Sequence, residues 1–291
     1  MTRFVVTGYA SLDYCMRLDR APRADATATI VGRPAEWPRL GGSPAYVASA
    51  LVAGGLDAVA AVSWVGDDAE GRGYREALAA RGVDVAGIAS HPGRTPVCIL
   101  AYQPDGGCHC FYDPSLAAPL ALDPGQARLV AAADWVCLTV GPAEATAQAL
   151  AAARPEARLV WAVKADRRAV PPDLAARIAA RADVIACSAA ESGFAAEALA
   201  ASGAPDRPRI LVETRGSEGV VLRAGGRETR IGAEPLDAQD ATGAGDTFLG
   251  GFLAALARMP DAPAQAVAAG ARAARDLLLA RGRAGKDDHD P

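Results

Sequence analysis

Trp135-Val136-Cys137-Leu138-Thr139-Val140 is a short apolar run of strand length, and it opens the most regular part of the chain. A helix-length segment from Pro142 to Ala153 follows it, then a strand at Leu159-Val160-Trp161-Ala162-Val163, a helix from about Pro172 to Ala180, and a strand at Val184-Ile185-Ala186-Cys187. Strands that alternate with helices imply parallel pairing through right-handed crossovers, with helices on both faces of the sheet. Phe4-Val5-Val6-Thr7 and the apolar stretch from Asp57 to Val65 continue the pattern toward the N-terminus. The fold expected is a three-layer α/β/α sandwich on a mostly parallel, doubly wound sheet. No linker or internal repeat interrupts it, so residues 1–291 read as one domain.

Composition narrows the function classes. A chain of 291 residues can bury a large core, and its formal charge of −4 is modest. The arginines are dispersed between alanines rather than clustered with aromatics, which argues against a nucleic-acid partner. No segment approaches the roughly 20 unbroken apolar residues of a membrane span, and Met1 to Gly8 lacks the apolar core of a signal peptide. A cytoplasmic protein is expected. Its cysteines (Cys15, Cys98, Cys108, Cys110, Cys137, Cys187) are scattered and read as small apolar residues in a reducing compartment. Strand alternation sends His109 to the face opposite Cys108 and Cys110, so Cys108-His109-Cys110 does not read as a zinc site.

Chemistry concentrates at Asp240-Ala241-Thr242-Gly243-Ala244-Gly245-Asp246-Thr247-Phe248, which runs into the helix-periodic segment Leu249 to Leu256. With small residues at Gly243, Ala244 and Gly245, the backbone N–H groups can converge on an anion at the positive end of the following helix. Asp246 would repel a resting phosphate, so its place there suits a base that takes a proton from a second reactant. A turn that merely caps a strand is the plainer alternative. The lysine that follows the glycines in a Walker loop is missing here.

This string resembles the C-terminal signature of the ribokinase-like PfkB carbohydrate kinases, and further matches run along nearly the whole chain. The resemblance implies an ATP-dependent kinase acting on a hydroxyl, usually a hydroxymethyl group, of a sugar, with a nucleoside as the alternative acceptor. Asp246 would be the catalytic base and the Gly243, Ala244, Gly245 amides an anion hole. Gly8 followed by Asp13 resembles the family's sugar-binding start, and Asp13 reads equally as the cap of the turn leaving the first strand.

Leu40-Gly41-Gly42-Ser43-Pro44 suits a helix start with Ser43 as N-cap and Pro44 in the first turn. Gly41 and Gly42 resemble the N-terminal signature, in which Tyr46 replaces the usual Asn. Tyr46 could face the acceptor or simply pack in the helix. Ser188-Ala189-Ala190-Glu191 replaces Asn-x-x-Glu, where Glu191 would help hold Mg2+ through water; the same spacing fits a capping box. Thr214, Gly216 and Gly219 lie in a turn that resembles the nucleotide side, together with Thr242 and Ser188. Lys164, at a strand end, reads as a phosphate contact or as one charge of a basic loop.

The resemblance implies that strands at about 14–37 and 95–112 form a small β-sheet lid over the sugar, and the lid could carry a homodimer. Ala262 to Arg281 is expected to be a helix lining the adenine pocket, and Lys286 to Pro291 an acidic, frayed end. A sugar- or nucleotide-binding homologue with weak turnover is the rival from another class, motivated by Tyr46 and Ser188.

Overall fold

The computed structural model describes residues 1–116, 120–204, 207, 209–236, 238 and 240–287, the last five of these by backbone alone. In chain order the first half holds β1 (Phe4–Thr7), β2 (Ser11–Leu18), β3 (Ile30–Gly32), β4 (Arg39–Gly41), α1 (Ser43–Ala53), β5 (Val59–Gly66), α2 (Ala69–Ala79), β6 (Asp84–His91), β7 (Val97–Tyr102) and β8 (Cys108–Asp113). The second half holds α3 (Pro124–Ala132), β9 (Trp135–Leu138), α4 (Ala143–Ala152), β10 (Arg158–Ala162), α5 (Pro172–Arg181), β11 (Val184–Ser188), α6 (Ser192–Ala201), β12 (Ile210–Thr214), β13 (Val220–Ala224), β14 (Arg227–Ile231), α7 (Ala244–Arg258) and α8 (Pro263–Asp287).

The main sheet has nine strands in the order β14-β13-β12-β11-β10-β9-β1-β5-β6. Every neighbouring pair from β12 to β6 is parallel, and β13 and β14 add an antiparallel edge. Alternation along β1 sorts the core into two layers. Phe4 and Val6 pack with Val47, Leu51, Tyr74, Phe252 and Val267 of α1, α2, α7 and α8. Val5 faces the other way, with Val130, Ala149, Ile178 and Phe194 of α3 to α6. Burial on both faces explains why these strands read as unbroken apolar runs rather than as alternating ones. Strand order reverses between β1 and β9, and the crevice outside the strand ends at such a point is where open α/β sheets bind ligands.

A five-stranded lid sheet, β3-β2-β7-β8 with β4 also paired to β2, stands beside that crevice. Its strands begin earlier than the sequence suggests. Asp13 is not in a turn: it lies within β2, which starts at Ser11, and Arg39–Gly41 contributes a further strand directly opposite it. Elsewhere β6, α3, α6 and β14 are elements that the pattern reading passes over. The C-terminal helix extends beyond Arg281 through Lys286 and Asp287, against the frayed end expected there, and residues 288–291 lie outside the described residues. Among the described residues no helix is long and apolar enough to cross a membrane.

Candidate active site

Gly243 is the N-cap of α7 and adopts the left-handed conformation at φ 70° and ψ 3°, which costs an L-side chain about 1–2 kcal/mol. Space is closed there as well, because a Cβ on Gly243 would stand 2.5 Å from Cε1 of Tyr46. The turn this makes uses one of the expected anion donors: the Ala244 N–H goes back to the Ala241 carbonyl at 3.1 Å. N–H groups in a helix's first turn have no intrahelical carbonyl to bond, which is the position of Gly245 and Asp246.

Asp246 occupies that first turn. Burial raises its carboxyl pKa to about 6, opposed by a hydrogen bond from Ser43 and the charge of Lys164, and reinforced by Glu191 and Asp13. Ser43 is therefore not the N-cap of α1. Gly42 takes that position, in a left-handed turn at φ 83° with no side-chain cap, and the Ser43 hydroxyl turns to Asp246. The N-termini of α1 and α7 thus meet at one carboxylate.

Asp13 faces them from the lid. The residue is 4% exposed, and its carboxylate accepts a 2.6 Å hydrogen bond from Ser11 Oγ. Burial pushes its pKa up, against Ser11, Arg39 and Arg281. Gly41 lacks a side chain for a direct reason, since any Cβ there would strike the Asp13 carboxylate. Across the lid, register sets Tyr112, Cys98, Asp13 and Arg39 side by side on β8, β7, β2 and β4. Tyr112 closes the far end of this row against Tyr9, ring centroids 5.8 Å apart.

Tyr46 is 7% exposed, and its ring packs beneath the Gly243 turn while its hydroxyl stands 3.4 Å from Arg281 Nη2. It supports the loop and presents almost no surface to a ligand. Ser188 and Glu191 form a capping box, in which the Ser188 side chain accepts from the Glu191 N–H and the Ser188 N–H donates to Glu191 Oε2 at 2.9 Å; the Ser188 Oγ–H also donates to Oε2, at 2.7 Å. Glu191 Oε1 lies 3.2 Å from Lys164 Nζ, so Lys164 is an ion-pair partner at the site rather than one charge of a basic loop.

At the turn expected to face the nucleotide, Thr214 is the register partner of Ser188 on the adjoining strand, and its hydroxyl donates to the Cys187 carbonyl at 3.4 Å. Gly216 has open space around it, whereas Gly219 is pressed against the Ile231 carbonyl and serves the packing of β14. The lid cysteines are less buried than a core role requires. Cys108 and Cys110 are exposed, and Cys98 Sγ lies 3.3 Å from Cys110 Sγ.

Sequence reasoning passed over Arg39, Tyr102, Asp240 and Arg281. Arg39 is buried and pairs with Asp240; Tyr102 OH lies 2.5 Å from Thr242 Oγ1; Arg281 reaches the Thr242 carbonyl. Only Arg39 left a signal, a charge two residues before Gly41 in a strand-like triplet.

The model of the pfkB family of carbohydrate kinases matches residues 1–285. The chain belongs to that family. Among pfkB relatives, an ATP-dependent ribose-1-phosphate kinase of Halopiger xanaduensis is 30% identical over 256 residues, 87% of this chain and 84% of its own. Solved ribokinase-like structures superpose closely. A nucleoside kinase of Methanocaldococcus jannaschii matches with TM-score 0.78 at 20% identity, covering 96% of this chain and 92% of its own. A ribokinase from Cryptococcus neoformans, solved in complex with ADP, matches with TM-score 0.76 at 20% identity, covering 93% of each chain. The pfkB fold expected from the sequence is thus the fold observed, and the protein is a carbohydrate kinase.

Proposed function

We propose that the protein is an ATP-dependent phosphotransferase that phosphorylates a hydroxymethyl group of a sugar or sugar-like acceptor, with Asp246 as general base. The carrying observation is Asp246 itself, a carboxyl with pKa near 6 in the same helical turn as the Gly245 and Asp246 amides. A base near the working pH combines a useful deprotonated fraction with real basicity, which an ordinary carboxylate lacks. In the reaction the acceptor hydroxyl gives its proton to Asp246 and its oxygen bonds to the γ-phosphorus. The bond to the ADP oxygen breaks while the amides offset the charge on the phosphoryl oxygens. Asp13 and the Gly41-Gly42 backbone orient the acceptor. Thr214, Gly216 and Thr242 border the nucleotide.

Among the described residues no three His, Cys, Asp or Glu side chains converge to hold a metal unaided. Mg2+ binds through one or two carboxylates together with waters and substrate phosphates. Glu191, with Oε2 fixed by Ser188, would hold it through water, and the ion would supply neutralisation of ATP oxygens. Six free cysteines fit a cytoplasmic setting.

ADP release with ATP and a panel of sugars, sugar phosphates and nucleosides tests this reading; no release with any acceptor would end it. A phosphorylated sugar is the second reading of the acceptor. Arg39 Nε is buried without a hydrogen-bond partner next to Asp13, and the Halopiger relative is described as acting on ribose-1-phosphate. Tyr46, the feature that favoured a nucleoside, packs its ring against the Gly243 turn, so it does not tilt the choice from a sugar toward a nucleoside.

Two predictions follow from this geometry. Lys164→Met should move the acid limb of the pH–rate profile above about 6, since the Lys164 charge lowers the Asp246 pKa. A limb that stays in place would show that the ammonium does not act on Asp246. The second concerns a homodimer through the lid. Ile99 and Phe111 are register partners on the face opposite Asp13 and are 40% and 58% exposed. Phe111→Glu should give a monomer in sedimentation velocity; an unchanged species would remove the lid face from any dimer.

A further inference from the structure

The residues that lead into the anion loop are gripped from the lid. Asp240 takes an ion pair from Arg39 of β4, whose side chain is 5% exposed, and Arg281 Nη1 of α8 stands 3.9 Å from its other oxygen. Burial pushes the Asp240 carboxyl up, but Arg39 outweighs it and holds the group below the usual carboxylate range. The same carboxylate accepts from the Thr242 N–H at 3.0 Å, so the pair fixes the backbone one residue before Gly243. Thr242 is held at each of its other polar atoms too. Its carbonyl accepts from Arg281, and its hydroxyl lies 2.5 Å from Tyr102 OH of β7 and 3.9 Å from Cys15 Sγ of β2.

Contacts from β2, β4 and β7 therefore end on Asp240 and Thr242, and the same inner lid face carries Asp13 directly across from Arg39. The lid's position and the loop's conformation are mechanically one setting. We infer that Arg39 and Tyr102 are positioning residues: they seat the lid on Asp240 and Thr242, and through them they set the anion-hole turn at Gly243 relative to the acceptor held by Asp13. This rests on the kinase reading above. Neither side chain touches the reacting atoms, so their loss should slow transfer without weakening ATP. A displacement of about 1 Å in such a geometry can cost roughly 10²-fold in rate.

A double-mutant cycle on the Tyr102–Thr242 bond tests the inference, with ATP turnover on the best acceptor, KM for ATP and unliganded Tm all measured. Tyr102→Phe should lower kcat roughly tenfold, with KM for ATP within about twofold and Tm unchanged, and Thr242→Val should lower kcat to a similar extent. The double variant should be no slower than the slower single one, because the bond is already gone. Thr242→Ser keeps the hydroxyl and should restore most of kcat, which a general loss of folding would not allow. Losses that multiply in the double variant, a kcat that does not change, or a fall in Tm that accounts for lost turnover would overturn the positioning role. A wild type that transfers no phosphoryl group would overturn the kinase reading and this inference with it.

Discussion

Asp246→Asn is expected to cut kcat by roughly 10²-fold or more while KM for ATP stays close to the wild-type value. The amide keeps the size of the carboxyl, and the backbone N–H groups of Gly245 and Asp246 do not depend on the side chain. What disappears is the proton acceptor. The pH dependence of the wild type carries the same assignment in its sign. Burial raises the Asp246 pKa to about 6, and a general base must be deprotonated to work, so kcat/KM should climb as pH rises toward 6 and level off above it. In Asp246→Asn that limb should vanish with the activity. A variant that keeps wild-type kcat, or a wild-type profile flat from pH 5 to pH 7, would take the base role from Asp246.

The chain's organisation was legible where burial is two-sided. Leu159-Val160-Trp161 and Val184-Ile185 lie in central strands with helices on both faces, so their sequences are apolar without interruption. At the sheet margins that signal fades. β6 buries only Gly87 and Ile88, and β14 is Arg-Glu-Thr-Arg-Ile, so neither has the period of a core strand. The start of α3 did carry a signal, Asp123 with Pro124 and Gln126, and the structure forms that capping box in full.

Site residues divide in the same way. Gly243, Gly245 and Asp246 are contiguous and could be read as a unit. Arg39 and Asp240 are 201 positions apart, and Tyr102 and Thr242 are 140 apart. No local period reports pairs so distant. Tyr46 shows the converse limit: its sequence leaves open an acceptor contact or packing within the helix, and its ring instead fills the space beneath a glycine of the loop nearly 200 positions later.

Asp13→Ala should lower kcat/KM for the acceptor by roughly 10²-fold, with KM for ATP changed by no more than about twofold. A carboxylate that accepts from paired hydroxyls makes charge-assisted bonds of about 1.5–3 kcal/mol each, and every 1.4 kcal/mol is tenfold. Partial loss of two such bonds reaches that size. The fold should tolerate the change. Arg39 keeps its pairing with Asp240, Ser11 loses only an acceptor, and a buried carboxylate whose pKa burial raises is not a large source of stability. Asp13→Asn sharpens the test, since it keeps the volume beside Gly41 and one acceptor oxygen but neither the charge nor the second acceptor. It should fall between wild type and alanine for the acceptor and match both for ATP. Equal losses for acceptor and ATP in the two variants, accompanied by a lower Tm, would show that Asp13 holds the lid strands together and does not read the sugar.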